Sequence, residues 1–274
     1  MIRAAVLSLA LLAAAPAAAP AALLSTADQH SFAALSASLG GRNGLAISGL
    51  GRNQPQIELG SLRTGVAWST IKTGIALAAY YQGHGSVNAS TQALLRRAIT
   101  ASDNAAAQSV WDHTLGGGAR AASLVRHMLA LVGDTDTVVH SRVSRPGYSA
   151  FGQTPWSLRN QLTFMAGMTC VRDSAPVLSL MGQVIPSQRW GLGSAGAGTT
   201  AILKGGWGPA RSGPYLVRQM GVLTLPGGGR QVAVTMATIP RDGTFATGTR
   251  NLTRIARWVA AHVNAAAASA HAAC

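Results

Sequence analysis

Two lysines stand out in a chain that otherwise uses arginine for positive charge. The 274 residues hold 22 basic side chains, of which only Lys72 and Lys204 are lysine. Arginine keeps its proton in a protein, whereas a lysine can lose it when its surroundings lower its pKa. Lys72 lies in Trp68-Ser69-Thr70-Ile71-Lys72. If Ser69 opens a helix, Lys72 follows one turn later on the same face. A serine hydroxyl is a weak nucleophile until a base takes its proton, and a buried amine can be that base. The stretch Ser102-Asp103-Asn104 offers a hydroxyl to relay a proton and an amide to bind both Lys72 and a substrate amide. Lys204-Gly205-Gly206 offers a second amine for a substrate carboxylate, with glycines that admit a substrate backbone. Each motif alone is weak. Ser-x-x-Lys arises often by chance, Ser-Asp-Asn is also a preferred helix cap, and a lysine beside glycines also fits a strand edge.

The elements that must position these groups are readable in outline. Apolar spacing marks a helix over Ser25–Leu39, closed by Gly40-Gly41. Strands follow at Gly44–Leu50 and Gln56–Leu59, joined by a glycine- and proline-bearing turn. A helix apolar on most sides covers Ser69–Gln82. Further helices are expected at Thr91–Ile99, Ala105–Thr114, Ala119–Val132, Pro155–Cys170 and Ala175–Val184. Thr154-Pro155 reads as the N-cap and first position of the fourth of these. Strands return at Ala201–Lys204, Leu216–Leu225 and Gln231–Ile239, and a last amphipathic helix spans Thr249–Val263. The order predicts an α+β protein: an antiparallel sheet built from both ends of the chain, flanked by terminal helices, with an all-helical lobe inserted. The sheet part is expected at about 23–66 and 200–265, and the helical part at about 67–199.

Residues 1–22 read as an export signal. Arg3 precedes the apolar run Ala4–Ala15, and Ala-x-Ala sites follow. No internal apolar run reaches the roughly 18–20 residues of a spanning helix. The expected location is therefore extracellular, periplasmic or cell-wall associated. The low-complexity tail, 266–274 within Asn264–Cys274, is expected to fray. Export permits a bridge between the two cysteines, Cys170 and Cys274, but a frayed tail argues against it. Two cysteines exclude a disulfide scaffold and a cysteine-based zinc site, and neither metal nor cofactor is expected. The net charge is +14, which suits anionic cell-wall polymers. The arginines are scattered and form no nucleic-acid motif. The chain is expected to act as a monomer.

Taken together, the three motifs resemble those of the penicillin-recognising serine hydrolases: class A β-lactamases, D-alanyl-D-alanine peptidases and penicillin-binding proteins. Their order and their placement on a helix start, an interhelical loop and a C-terminal strand are similar. Ile99-Thr100-Ala101-Ser102-Asp103-Asn104 and Gln153-Thr154-Pro155 look like the family's surroundings of these motifs. The resemblance covers about 25–265. It implies Ser69 as nucleophile, Lys72 as base, Ser102 as proton relay, and Asn104, Lys204, Gly206 and Trp207 as substrate-binding residues. It also implies an oxyanion hole from the backbone N–H groups of Ser69 and Trp207. Expected substrates are small β-lactams or peptidoglycan peptides and esters.

Two departures stand against the family pattern. Class A enzymes carry an omega-loop glutamate that activates the deacylating water, yet His140–Gln153 holds no acidic residue. His140 is the only conventional base in that stretch. Gly205 replaces a threonine or serine whose hydroxyl helps to bind the substrate carboxylate. Ser194, Thr200 or Ser212 are candidate substitutes, and Arg211 or Arg218 candidate added charges. An acyl-enzyme that deacylates slowly is expected. The alternatives are a β-lactamase with a substitute base, a weak or inactive cell-wall-binding protein of the same fold, and a glutaminase-like relative.

Overall fold

The computed structural model describes residues 22–210 and 213–274. The expected export segment lies outside the described residues save for its last position, and so do Arg211 and Ser212. Helix α1 (Thr26–Leu39) opens on Ser25, whose side chain and that of Asp28 cap each other's backbone N–H groups. Strands β1 (Arg42–Ser48) and β2 (Gln56–Gly60) form a hairpin. After the short β3 (Thr64–Val66), a 3₁₀ turn over Trp68–Ile71 leads into α2 (Lys72–Gln82). Then come α3 (Ala89–Thr100), α4 (Asn104–Ser109) with a π-type continuation over Val110–Thr114, and α5 (Gly118–Leu131). Strand β4 (Pro155–Ser157), α6 (Leu158–Met168) and α7 (Ala175–Gly182) complete the helical part. The chain closes with β5 (Thr200–Pro209), β6 (Tyr215–Thr224), β7 (Gln231–Ile239) and α8 (Phe245–His262).

The main sheet is antiparallel, in the order β2-β1-β7-β6-β5, so strands from both ends of the chain meet at β1 and β7. Its strands alternate side chains between two cores, as the two-residue period requires. Leu45, Ile47, Val234 and Met236 join Phe32, Leu252, Ile255 and Val259 on the α1/α8 side. Ala46, Ala233, Met220 and Val222 face the helical lobe with Ile71, Ile75, Trp111 and Leu162. Burial on both faces explains why β6 and β7 read as near-continuous apolar runs. No described helix is long and apolar enough to cross a membrane.

Four local expectations are corrected. Pro155 begins a strand, not a helix: β4 pairs with β3, and Ser157 is the true N-cap of α6, accepting from Asn160 N–H at 3.0 Å. Lys204 does not end its strand, because β5 runs on through both glycines to Pro209. The tail does not fray. Residues 264–274 are tied by backbone bonds from Asn264 to Leu23, from Gln231 to Ser269 and from Ala273 to Leu50. Cys274 is bridged to Cys170 at the end of α6, so the disulfide argued against above is present.

Candidate active site

The site forms where the 3₁₀ turn, the α3–α4 loop and the edge strand β5 converge. Ser69 lies in the turn and is half-buried. Trp68, just before it, holds φ at +48°, a conformation a bulky side chain adopts only when its surroundings impose it. The indole of Trp68 packs on Tyr148, with ring centres 5.2 Å apart. Arg145 covers the other ring of that pair, 4.5 Å from the Tyr148 centroid, and donates to Pro209 O at 2.7 Å. The stretch 144–153 is thereby clamped between the turn that carries Ser69 and β5. Gln153 stitches the loop internally, donating to the carbonyls of Arg145, Tyr148 and Ser149 and accepting from Ser144 Oγ.

Lys72 begins α2 one residue past the turn and is almost fully buried. Its Nζ donates to Ser102 O at 2.6 Å and to Asn104 Oδ1 at 2.7 Å. Burial pushes its pKa down to about 7, with the charge of Asp103 opposing the shift. Near neutral pH the amine is thus divided between its two protonation states, as a general base requires. Lys204 is wholly buried; its Nζ donates to Ser102 Oγ at 2.9 Å and to Gly205 O at 3.0 Å. Burial, reinforced by the nearby Lys72 charge, lowers its pKa well below the usual lysine range. The two lysines therefore grip Ser102 from two sides. Ser102 itself sits at φ +59°, so its loop is held in a strained state by these contacts.

In Ser102-Asp103-Asn104 the cap reading holds for Asp103, while Ser102 and Asn104 contact the lysines. Asp103 caps α4, accepting from Ala106 N–H at 2.9 Å, and pairs with Arg97. Those bonds hold its carboxyl below the usual range and leave its neighbours facing the lysines. Gly206 has its own reason to be glycine. A Cβ there would stand 2.9 Å from Ser69 N and 3.0 Å from both Ala67 O and Thr70 N. Only a bare Cα lets β5 approach the backbone of the turn that carries Ser69.

Ser69, Lys72, Asn104 and Trp207 line one cavity of about 360 Å³. Ser102, Lys204 and Gly206 adjoin it through the contacts above. Sequence reasoning missed Trp68, Gln108, Tyr148 and Ser149, which share its wall. Gln108 was readable, being one helical turn beyond Asn104; the loop residues carried no such signal. His140 lines a separate cavity behind Trp68 rather than this one. No carboxylate lines the cavity around Ser69 among the described residues. Arg218 does not add charge here. It is fully buried and donates to Gly65 O, Val66 O, Trp156 O and Gln161 Oε1, holding the β3–β4 ladder on the sheet. Burial lowers its pKa to about 9. Ser194 Oγ is bonded to Arg189 O, and Thr200 is at the far end of β5.

No family model and no curated protein sequence matches the chain. Solved structures do. A class A beta-lactamase from Mycobacterium abscessus superposes with a TM-score of 0.67 at 16% identity, over 85% of this chain and 97% of that one. PBP-A gives 0.65 at 20% identity, over 86% and 95%. The chromosome-encoded beta-lactamase of Vibrio parahaemolyticus gives 0.64 at 14% identity, over 84% and 96%. A variant of PBP-A, also at 20% identity and 0.65, is an acyl-enzyme complex with penicillin G. The chain thus has the fold of the penicillin-recognising serine hydrolases.

Proposed function

We propose that this chain is a serine hydrolase that forms an acyl-enzyme through Ser69 with β-lactams or with D-alanyl peptides and esters, and releases it slowly. The observation that carries the reading is the meeting of Lys72 and Lys204 on Ser102 beside Ser69. In the forward step, neutral Lys72 takes the Ser69 proton as Oγ attacks the substrate carbonyl. The N–H groups of Ser69 and Trp207 stabilise the oxyanion. Ser102 Oγ already accepts a bond from Lys204, so its own proton is free to pass to the leaving group, and Lys72 makes good the loss. Asn104 holds Lys72 through Oδ1, which leaves its NH₂ to bind a substrate amide.

Slow release follows from the cavity wall. Water must attack the acyl-Ser69 ester, and the described wall offers it no carboxylate. Losing a positioned general base slows such a step by about 10²–10⁴-fold. Export is part of the reading, and the Cys170–Cys274 bridge supports an oxidising compartment. The charge of +14 supports anionic cell-wall surroundings.

A fluorescent penicillin added to purified protein tests the proposal. Covalent label that survives denaturation is expected on the wild type and absent from Ser69→Ala. An unlabelled wild type, or a labelled Ser69→Ala, contradicts it.

A further inference from the structure

The end of the cleft that receives the leaving group is marked by Ser102, the hydroxyl proposed to protonate it. Lys204 bonds Ser102 Oγ and Gly205 O, so Gly205 belongs to the same end. The space beside Gly205 is not open. A Cβ there would lie 2.8 and 2.9 Å from two ring carbons of Trp190 and 3.7 Å from the Trp207 ring. The Trp190 indole therefore fills the volume of any side chain at 205, including a hydroxyl-bearing one. The rings continue outward: Trp190 and Trp207 meet edge to face at 6.0 Å, and Phe245 at the start of α8 packs 5.2 Å from Trp207. Each of the three is half-buried, so each keeps some surface exposed. Trp190 Nε1 has no hydrogen-bond partner, which leaves packing to hold the indole in place.

Among the described residues, the cations on β5 and β6 are Lys204 and Arg218. Lys204 is wholly buried and already donates two bonds. Arg218, across from Gly206 in the register, lies on the Gly206 face of the sheet, away from Trp190, and is taken up by four acceptors in β3, β4 and α6. Among the described residues of these two strands, a leaving-group carboxylate would thus meet aromatic rings and at most one remaining lysine N–H. A carboxylate so placed loses water without gaining the forked partners that repay its desolvation.

We infer that Trp190 and Trp207 form a leaving-group subsite that selects neutral, apolar leaving groups, such as the alcohol or phenol of an ester, over carboxylate-bearing ones. The inference rests on the acyl-enzyme reading above and narrows its substrate class. β-Lactams, which carry a carboxylate, are then reactive but poorly matched acylating agents. The covalent step is ordinary ester exchange. The Ser69 Oγ–carbonyl bond forms, the ester C–O bond breaks, and the serine proton leaves with the phenol.

Two esters sharing a phenylacetylglycyl group test it, one with phenol as the leaving group and one with 3-hydroxybenzoate. Acylation of Ser69 is followed by mass spectrometry and by phenol release. The wild type is expected to react with the neutral ester roughly tenfold faster, the scale of one missing charge-assisted hydrogen bond. Trp190→Ala combined with Gly205→Thr opens the space and supplies a hydroxyl, and is expected to erase or reverse that ratio. Trp190→Phe keeps an aromatic ring and is expected to retain it, which separates selectivity from loss of fold. A wild type that prefers the carboxylate ester, or a ratio unmoved in the double variant, overturns the subsite while leaving the acyl-enzyme reading intact. Failure of both esters and of penicillin to acylate Ser69 overturns both.

Discussion

Lys72 can act as a base only while its amine is unprotonated. With its pKa pushed down to about 7 by burial, acylation of Ser69 is expected to climb with pH through about 7 and then level off. Stopped-flow labelling across pH 5.5 to 9, values chosen to span about two units around that pKa, checks this. A flat profile contradicts the role. Lys72→Arg should abolish acylation, because a guanidinium stays protonated. The same shift carries a cost in stability. A lysine whose folded pKa lies below its unfolded value binds fewer protons when folded, so it opposes folding below about pH 7. That penalty is relieved as pH rises from about 7 toward the ordinary lysine value of 10.5. Lys72→Met is therefore expected to melt higher than the wild type at pH 6.5. The margin should narrow toward pH 9.5, as thermal scans at the two pH values will show. At this scale much was legible from the sequence. Both lysines and the Ser-Asp-Asn stretch meet in space, and two amines buried near each other suit lysine, which can lose its proton where arginine cannot. Trp190 was not legible: nothing near it in the chain indicates that it covers Gly205, a contact made only by the fold.

Among the elements, the approach of β5 to the 3₁₀ turn decides whether the site exists. Gly206→Ala places a methyl group 2.9 Å from Ser69 N, and neither strand nor turn can yield without moving Ser69. A displacement of about 1 Å can reduce a rate by about 10²-fold, so labelling should fall on that scale while the circular dichroism spectrum is kept. Labelling at the wild-type rate would show that the close contact is not needed. The long elements were readable because their apolar periods persist over many residues, as in α8 with Leu252, Ile255, Ala256 and Val259 on one buried face. The three-residue strands β3 and β4 were not. Neither is long enough to show alternation, and Thr154-Pro155 imitates a helix start one turn before Ser157 provides the real one. β5 was cut short for a related reason, since Gly205, Gly206 and Gly208 have no side chains with which to mark a strand.

For the whole molecule, the disulfide closes a separation of 104 residues and ties the last residues to the end of α6. It shares no residue with the cavity around Ser69. Cys170→Ser with Cys274→Ser is therefore expected to reduce stability by about 2–4 kcal/mol. For a chain of this size that lowers the melting temperature by on the order of 10 °C, with the rate of Ser69 labelling at 25 °C unchanged. An unchanged melting temperature would assign the bridge no structural weight. The sequence misled here because an alanine-rich tail carries no periodic pattern, although its backbone pairs with Leu50, Arg52 and Gln231.

The central claim is that Ser69 becomes acylated and that water releases the acyl group slowly. Intact-protein mass spectrometry through time, after a brief excess of penicillin, tests it directly. The predicted result is a mass increase of one whole penicillin on the peptide containing Ser69, still present after minutes and absent in Ser69→Ala. A protein that gains no mass, or one whose adduct vanishes at once while penicillin is consumed in steady turnover, would contradict it.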